Sequence, residues 1–296
     1  MTRRAWLLFA AVSLLWGVPY LFIKVAVAEV PPVTVVFVRV VLAALLLGPV
    51  AARRGALRGL RGRLPQLAAL ALLEITVPFL LISMGEQHIT SSLAGLLIAA
   101  MPLFVALLAL RFDPAERVGG LRLLGLLIGI AGVAGLLGID VGGDRARLVG
   151  AVMVLLATLS YAASTLLVKR AFSDVPLLGV VTVATAISSL LLAPFAVALT
   201  PARLPSLQAL LALAALGVLC TAAGLLLFFA LIVEAGPSRA AVITYMNPAV
   251  AVALGVIVLG EPLTGAIVGG FVLIIFGSWL STRRPAPRGQ PAQAVR

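Results

Sequence analysis

The chain has one cysteine, Cys220, and one histidine, His88, in 296 residues. A single thiol excludes an intrachain disulfide framework and a cysteine-based metal site. No His/Cys cluster has the spacing of metal ligands, so no metal and no cofactor are expected. A GxxxxGK[ST] run is also missing, which leaves no phosphate-cradling loop for ATP hydrolysis. Ser160, Ser164 and the pair Ser188-Ser189 have no histidine nearby in sequence to activate them, which argues against a serine nucleophile and against an enzyme. Charge is scarce as well: 11% of residues, against about 25% in a soluble domain.

What remains is apolar. Hydrophobic residues make up 62% of the chain, and its mean hydropathy is +1.21. So much apolar surface cannot be hidden in a water-soluble core of this size, and a lipid bilayer is expected to solvate it. The net charge of +12 would suit nucleic acid. The basic residues, however, sit at the ends of apolar segments rather than on one polar face, so no nucleic-acid partner is expected. The first apolar segment follows Arg3-Arg4 and is too long for a signal-peptide core; it reads as a spanning helix.

A helix needs about 20 apolar residues to cross the hydrocarbon. Ten segments qualify: 5–25, 33–51, 65–84, 91–111, 119–138, 147–169, 177–198, 206–232, 238–259 and 264–281. Pro31-Pro32, Pro176, Pro201, Pro237 and Pro262 stand at or near the breaks. Residues 283–296 form a Pro- and Arg-rich tail expected to be disordered. With the N-terminus in the cytoplasm, four of the 22 Lys+Arg lie at outer ends (Lys24, Arg145, Arg147, Arg203), Arg39 lies within a span, and the other 17 lie inside. By the positive-inside rule both termini are expected to be cytoplasmic; the chain is expected to be a multi-pass protein of a bacterial inner membrane.

The chain also matches itself. At a shift of 145, Trp16, Tyr20 and Lys24 fall on Tyr161, Thr165 and Lys169; Glu116 falls on Glu261, Gly125 on Gly270 and Gly132 on Gly277. At a shift of 146, Ser92 meets Ser238 and Pro102 meets Pro248. The units are residues 1–141 and 146–282. Five spans per unit is an odd number, so the second copy enters from the opposite side and the repeat is inverted. Secondary transporters use this architecture, with substrate near the midplane between the halves.

The repeated residues resemble a known family. Leu15-Trp16-Gly17 with Lys24, then Arg39 with Ala43-Ala44, are similar to the start of an EamA domain. The run SSLAGLLIAAMPLFVALLAL (91–110), Glu116 and GLLIGIAGVAGLL (125–137) resemble its end. The second copy repeats this with Asn247-Pro248, GEPLT at 260–264, Gly270 and Gly277. The match resembles the drug/metabolite transporter superfamily, ten-helix type, and within it the YddG-type exporters of aromatic and other amino acids. The resemblance implies an all-α integral membrane protein with a basket-like fold of two EamA repeats, and export of small organic metabolites. Ala184 stands where the second copy should repeat Arg39.

Polar or helix-breaking residues inside spans are costly and mark candidate sites. Trp16, Tyr20 and Lys24 share one helix stripe, as do Tyr161, Thr165 and Lys169. They either line a cavity or act as interfacial anchors and snorkelling lysines. Glu74, the one carboxylate near a span centre, is either a proton-coupling or ammonium-binding group or a neutral side chain tied to a neighbouring helix. Pro78 and its match Gly224 are paired helix breakers, as are Pro102 and Pro248, which are expected to interrupt helices 4 and 9. Met101, Tyr245 and Asn247 lie beside the latter pair and either face the cavity or pack. Arg39 either pairs with Glu29 or a helix-end carbonyl, or binds a substrate carboxylate. His88, at the turn after helix 3, is either solvated or part of an outer gate. Glycines at 125, 129 and 132 and at 265, 269 and 277 should pack helices 5 and 10 together within a monomer.

The function expected from these features is a secondary transporter exporting small organic metabolites, amino acids including aromatic ones, by alternating access. The alternative is an exporter of cationic drugs; a lipid-modifying enzyme and a channel are the readings outside the class.

Overall fold

A computed structural model describes residues 1–112, 120–140, 143–201 and 203–281. Among these residues all regular structure is helical. Eight helical rods are long and apolar enough to cross a membrane: α1 Arg3–Val27, α2 Pro32–Arg53, α3 Arg61–Gly85, α4 Ser91–Ala109, α5 Leu121–Gly138, α6 Arg145–Ala171, α7 Leu177–Ala198 and α8 Leu207–Ala235. Two shorter apolar helices follow, α9 Ile243–Leu259 and α10 Gly265–Ser281. Large side chains such as Leu45, Leu190, Phe195 and Ile257 stand exposed around the outside. Exposed apolar surface on this scale suits lipid rather than water. The chain is a multi-pass membrane protein. The expected tail at 283–296 and Glu116 of the repeat lie outside the described residues.

The rods run between two faces. One, the terminal face, carries the start of α1 and the end of α10: Thr2 Oγ1 donates to Glu234 at 2.6 Å, and Arg122 Nε donates to the Ser281 carbonyl at 3.2 Å. The opposite face carries Glu29, Glu86 and Glu261. Corresponding rods of the two halves pack in pairs, α2 on α7 and α5 on α10; α1 lies on α8 and α9, and α6 on α3 and α4. The α5–α10 seam is closed by glycine: a Cβ on Gly125 would lie 2.8 Å from the Gly277 carbonyl, and one on Gly132 2.8 Å from Leu273 Cβ. Gly265 and Gly269, expected in this seam, have nothing within 4 Å where a side chain would be. Gly270 takes their place, packed on Leu136.

The rods are interrupted where the sequence removes backbone donors or crowds the backbone. In α1 the helix breaks at Val18, before Pro19. In α3, residues Ala71–Thr76 are a π-helix, with the Val77 N–H bonded to the Leu72 carbonyl five residues back. Pro78 follows; it has no N–H and its ring crowds the carbonyl four residues earlier, and the wider turn accommodates both. A second π-helix, Ala215–Ala223, occupies the matching stretch of α8, just before Gly224. In α4 the helix stops at Ile98 and resumes at Met101, ahead of Pro102. The expectation for Pro248 is corrected. It sits inside α9, which runs unbroken from Ile243 to Leu259, and the interruption comes earlier, between Ala240 and Ile243. A proline within a packed spanning helix is tolerated when neighbouring helices support the freed carbonyl.

Candidate functional site

Arg39, Glu74, Thr76, Ser160, Ser164, Ser188 and Thr221 gather where α2, α3, α6, α7 and α8 meet, around the two π-helices. Arg39 lies on the buried face of α2, one turn from Val35, Val36 and Ala43. Its Nε donates to Thr221 Oγ1 at 2.8 Å, and Thr221 belongs to the π-helix of α8. The guanidinium carbon stands 3.7 Å from the ring centroid of Phe79 in α3, a cation–π contact. Among the described residues no carboxylate pairs with Arg39. Tyr20, Tyr161, Cys220 and Glu86 are close enough to feel its charge. The sequence reading offered Glu29 as partner. The structure removes that option: Glu29 accepts from the Ser206 N–H at 2.7 Å and the Ser206 hydroxyl at 2.6 Å, capping α8 on the opposite face.

Glu74 projects from the π-helix of α3 and accepts a hydrogen bond from the Ser164 hydroxyl of α6. A π-turn misdirects carbonyls that an α-helix would use, and nearby hydroxyls take them up. Ser160 Oγ donates to the Leu73 carbonyl at 2.7 Å, Ser188 Oγ to the Ala71 carbonyl at 3.2 Å, and Thr76 Oγ1 to Ser188 Oγ at 3.0 Å. In α8, Thr221 Oγ1 donates to the Leu216 carbonyl at 2.8 Å. Two of the serines dismissed above as nucleophiles, Ser160 and Ser188, therefore take up carbonyls of the wide turn. Tyr161 of α6 lies within electrostatic reach of both Glu74 and Arg39.

The remaining candidates divide. Trp16 is half-buried; its ring packs on Phe228, centroids 4.7 Å apart, and its indole edge fills the space above Gly224. Tyr20 is buried against Gly95 of α4. Pro78 is buried behind the π-helix. Met101 is half-buried at the break of α4, and Tyr245 is half-buried near the start of α9. Asn247 is half-buried and its side-chain oxygen is buried with no partner. Thr165 is exposed and bonds its own helix, Oγ1 to the Tyr161 carbonyl at 2.9 Å. His88 is exposed at the turn, its backbone N–H bonded to the Gly85 carbonyl at 2.9 Å. Lys24 does not snorkel: its Nζ donates to the carbonyls of Glu86 at 2.6 Å and Ile89 at 2.8 Å. Lys169, its counterpart, is exposed. A wholly apolar pocket of about 310 Å³ lies between α9 and α10, lined by Val252, Val256, Leu263 and Phe271, away from this polar cluster.

The sequence reading did not name Phe79, Thr221 or Ser164 as partners. The π-helices were signalled only indirectly, by Pro78 and Gly224.

Comparison with known proteins is consistent along the whole chain. The model of the EamA-like transporter family matches twice, over residues 3–138 and 148–283. The uncharacterized inner membrane transporter YedA of Escherichia coli (strain K12) is 29% identical over 291 residues, covering 93% of this chain and 92% of its own. The uncharacterized transporter YvbV of Bacillus subtilis (strain 168) is 28% identical over 276 residues, 93% of this chain and 90% of its own. A solved crystal structure superposes with a TM-score of 0.67 at 22% identity, over 95% of this chain and 97% of that one. That likeness supports the fold.

Proposed function

Because the chain belongs to the EamA-like transporter family, we propose that it is a secondary transporter exporting small organic metabolites, with amino acids, aromatic ones included, as its substrate class. The observation that carries this reading is the arrangement around Tyr161. Within its electrostatic reach are a buried guanidinium, Arg39, which no carboxylate pairs with among the described residues, and Glu74, a carboxylate held by one serine hydroxyl. A zwitterion complements that pair, its carboxylate at Arg39 and its ammonium at Glu74. Arginine suits the first role because its planar fork matches a carboxylate. Tyr20, Phe79 and Tyr161 then present ring surface to an apolar or aromatic side chain.

Alternating access follows from the two matched halves, each with a π-helix facing the cluster. The lysine and arginine bias supports cytoplasmic termini and an inner-membrane location, and the resemblance to metabolite exporters supports the outward direction. A small-molecule substrate and the lipid bilayer are the partners of this reading, with the chain acting as a monomer and without a cofactor.

The cationic-drug alternative rests on Glu74 alone and leaves Arg39 without a ligand. Purified protein in liposomes loaded with labelled phenylalanine is expected to release label when unlabelled amino acid is supplied outside. Flux of a cationic drug that survives Arg39→Leu, with no flux of any amino acid, would replace the proposal by the alternative. No flux of either kind would reject both.

A further inference from the structure

At the opposite face, α9 ends in Gly260, whose left-handed backbone (φ +67°) turns the chain back toward α4. Glu261 is thereby aimed at the start of α4. Its Oε1 accepts the Ser91 N–H at 2.7 Å; its Oε2 accepts the Ser92 N–H at 2.9 Å and the Ser92 hydroxyl at 2.5 Å. The carboxylate comes from the second half and the helix from the first, so these bonds tie the halves together at this face. Gly255 makes the fit possible, because a Cβ there would run into Glu261 Oε2 and Ser92 Oγ.

Glu86 lies beside this tie. Its side chain is fully buried (0% exposed), and neither carboxylate oxygen has a hydrogen-bond partner among the described residues. The charged or titratable groups facing it are Lys24 and Tyr20 from α1, Glu261 from the α9–α10 turn and Arg39 from α2; His88, two residues on, is exposed. Lys24 directs two donors to backbone carbonyls instead, and Glu261 is already served by three. An ionised carboxylate buried without a donor is strongly disfavoured, and taking up a proton relieves the larger part of that penalty. Burial pushes the Glu86 carboxyl well above the usual carboxylate range; Lys24 opposes this, the Glu261 charge adds to it, and Arg39 opposes it.

We propose that Glu86 is a proton-binding site coupled to closure of this face: it takes up one proton from the medium as Glu261 docks on Ser91 and Ser92, and returns it to water as they part. One carboxyl O–H bond forms on closing and breaks on opening, and nothing is oxidised or reduced. The coupling to closure rests on the alternating-access reading above; the proton site itself does not.

The test is infrared pH-difference spectroscopy of the purified protein in nanodiscs, with no substrate present. The wild type is expected to show a protonated-carboxyl band that Glu86→Gln removes and Glu74→Gln leaves in place. A band unchanged in Glu86→Gln overturns the site. Gly255→Ala and Gly255→Val wedge the tie apart while leaving every charge in place. They are expected to lower the pH at which the band titrates, by at least about one unit for valine, a tenfold weaker proton affinity. A titration that neither wedge moves overturns the coupling. Because neither reading uses substrate, a failure of amino-acid flux with these results intact counts against the substrate assignment alone.

Discussion

The two halves share a backbone and differ in chemistry. Both carry a π-helix at the same place in their third rod, ahead of Pro78 in one and Gly224 in the other. Both use the loop after their first rod in a similar way: Glu29 caps α8 through Ser206, while Asp174, at the matching position, grips Arg63 at the start of α3. Elsewhere they part. α1 breaks at Val18 and Pro19, whereas α6 runs straight through and offers Ser164 at the position of Pro19, where its hydroxyl holds Glu74. Glu74 faces the site from one π-helix and Cys220 occupies that position in the other. Arg39 has no equal across the repeat, since Ala184 is fully buried at the matching point. Lys24 is anchored by two carbonyls while Lys169 is exposed. A symmetric frame can supply two conformations related by a two-fold rotation, but binding a substrate with distinct ends requires that the lining not be symmetric.

The sharpest test of this asymmetry is Arg39. Replacing it with leucine should lower transport efficiency for a carboxylate-bearing substrate about 100-fold, the upper end of what a hydrogen bond to a charged group contributes. The reciprocal Ala184→Arg places an unpaired charge in a packed site and should reduce the yield of folded protein rather than add a second anion site; flux assays and thermal unfolding separate the two outcomes. Next is Glu74→Gln, expected to raise KM for an amino acid about tenfold while leaving a substrate that lacks the amine unchanged. Equal effects on both substrates would make Glu74 a structural group. Lys24→Met should destabilise the fold by about 2 kcal/mol through two charge-assisted bonds, and Lys169→Met by far less, as read from melting temperatures. If the lysine variants behave alike, the anchoring of Lys24 has no consequence for stability.

Smallest is Asp174→Asn. The Arg63 guanidinium holds the Asp174 carboxyl below its usual range. A depressed folded-state pKa contributes stability that is full above the ordinary carboxylate range and fades as pH falls through the lowered value. The variant should therefore melt slightly below the parent at neutral pH and converge with it in acid. The pair is exposed, so the shift should be no more than a few degrees.

The rods were legible because hydropathy over about 20 residues depends on composition rather than on partners. The helix breakers were half legible. Pro78 and Gly224 correctly flagged the region of the π-helices, and Pro102 the break in α4. Pro248 misled, because whether a proline interrupts a helix depends on neighbouring support that one sequence does not display. The partners of Arg39 were not legible at all. Phe79 and Thr221 come from other rods, Thr221 from the other half, and neither has a local pattern that singles it out. Glu86 has no local pattern that singles it out in the turn it shares with His88. Its full burial arises from the folding of the chain over it, and turn composition gives no warning of that.

The glycine seam between α5 and α10 has a mechanical consequence. Where side chains interdigitate, rods can slide by changing rotamers. Here backbone meets backbone where Gly125 lies beside Gly277 and Ser281 near the terminal face, and further across the Leu136 side chain packs directly on Gly270, so little remains between the rods that can rearrange. The two helices behave as a single beam, one girder drawn from each half. Any rearrangement that exposes the interior to one side or the other must then take place around that beam, in the rods whose axes are already broken.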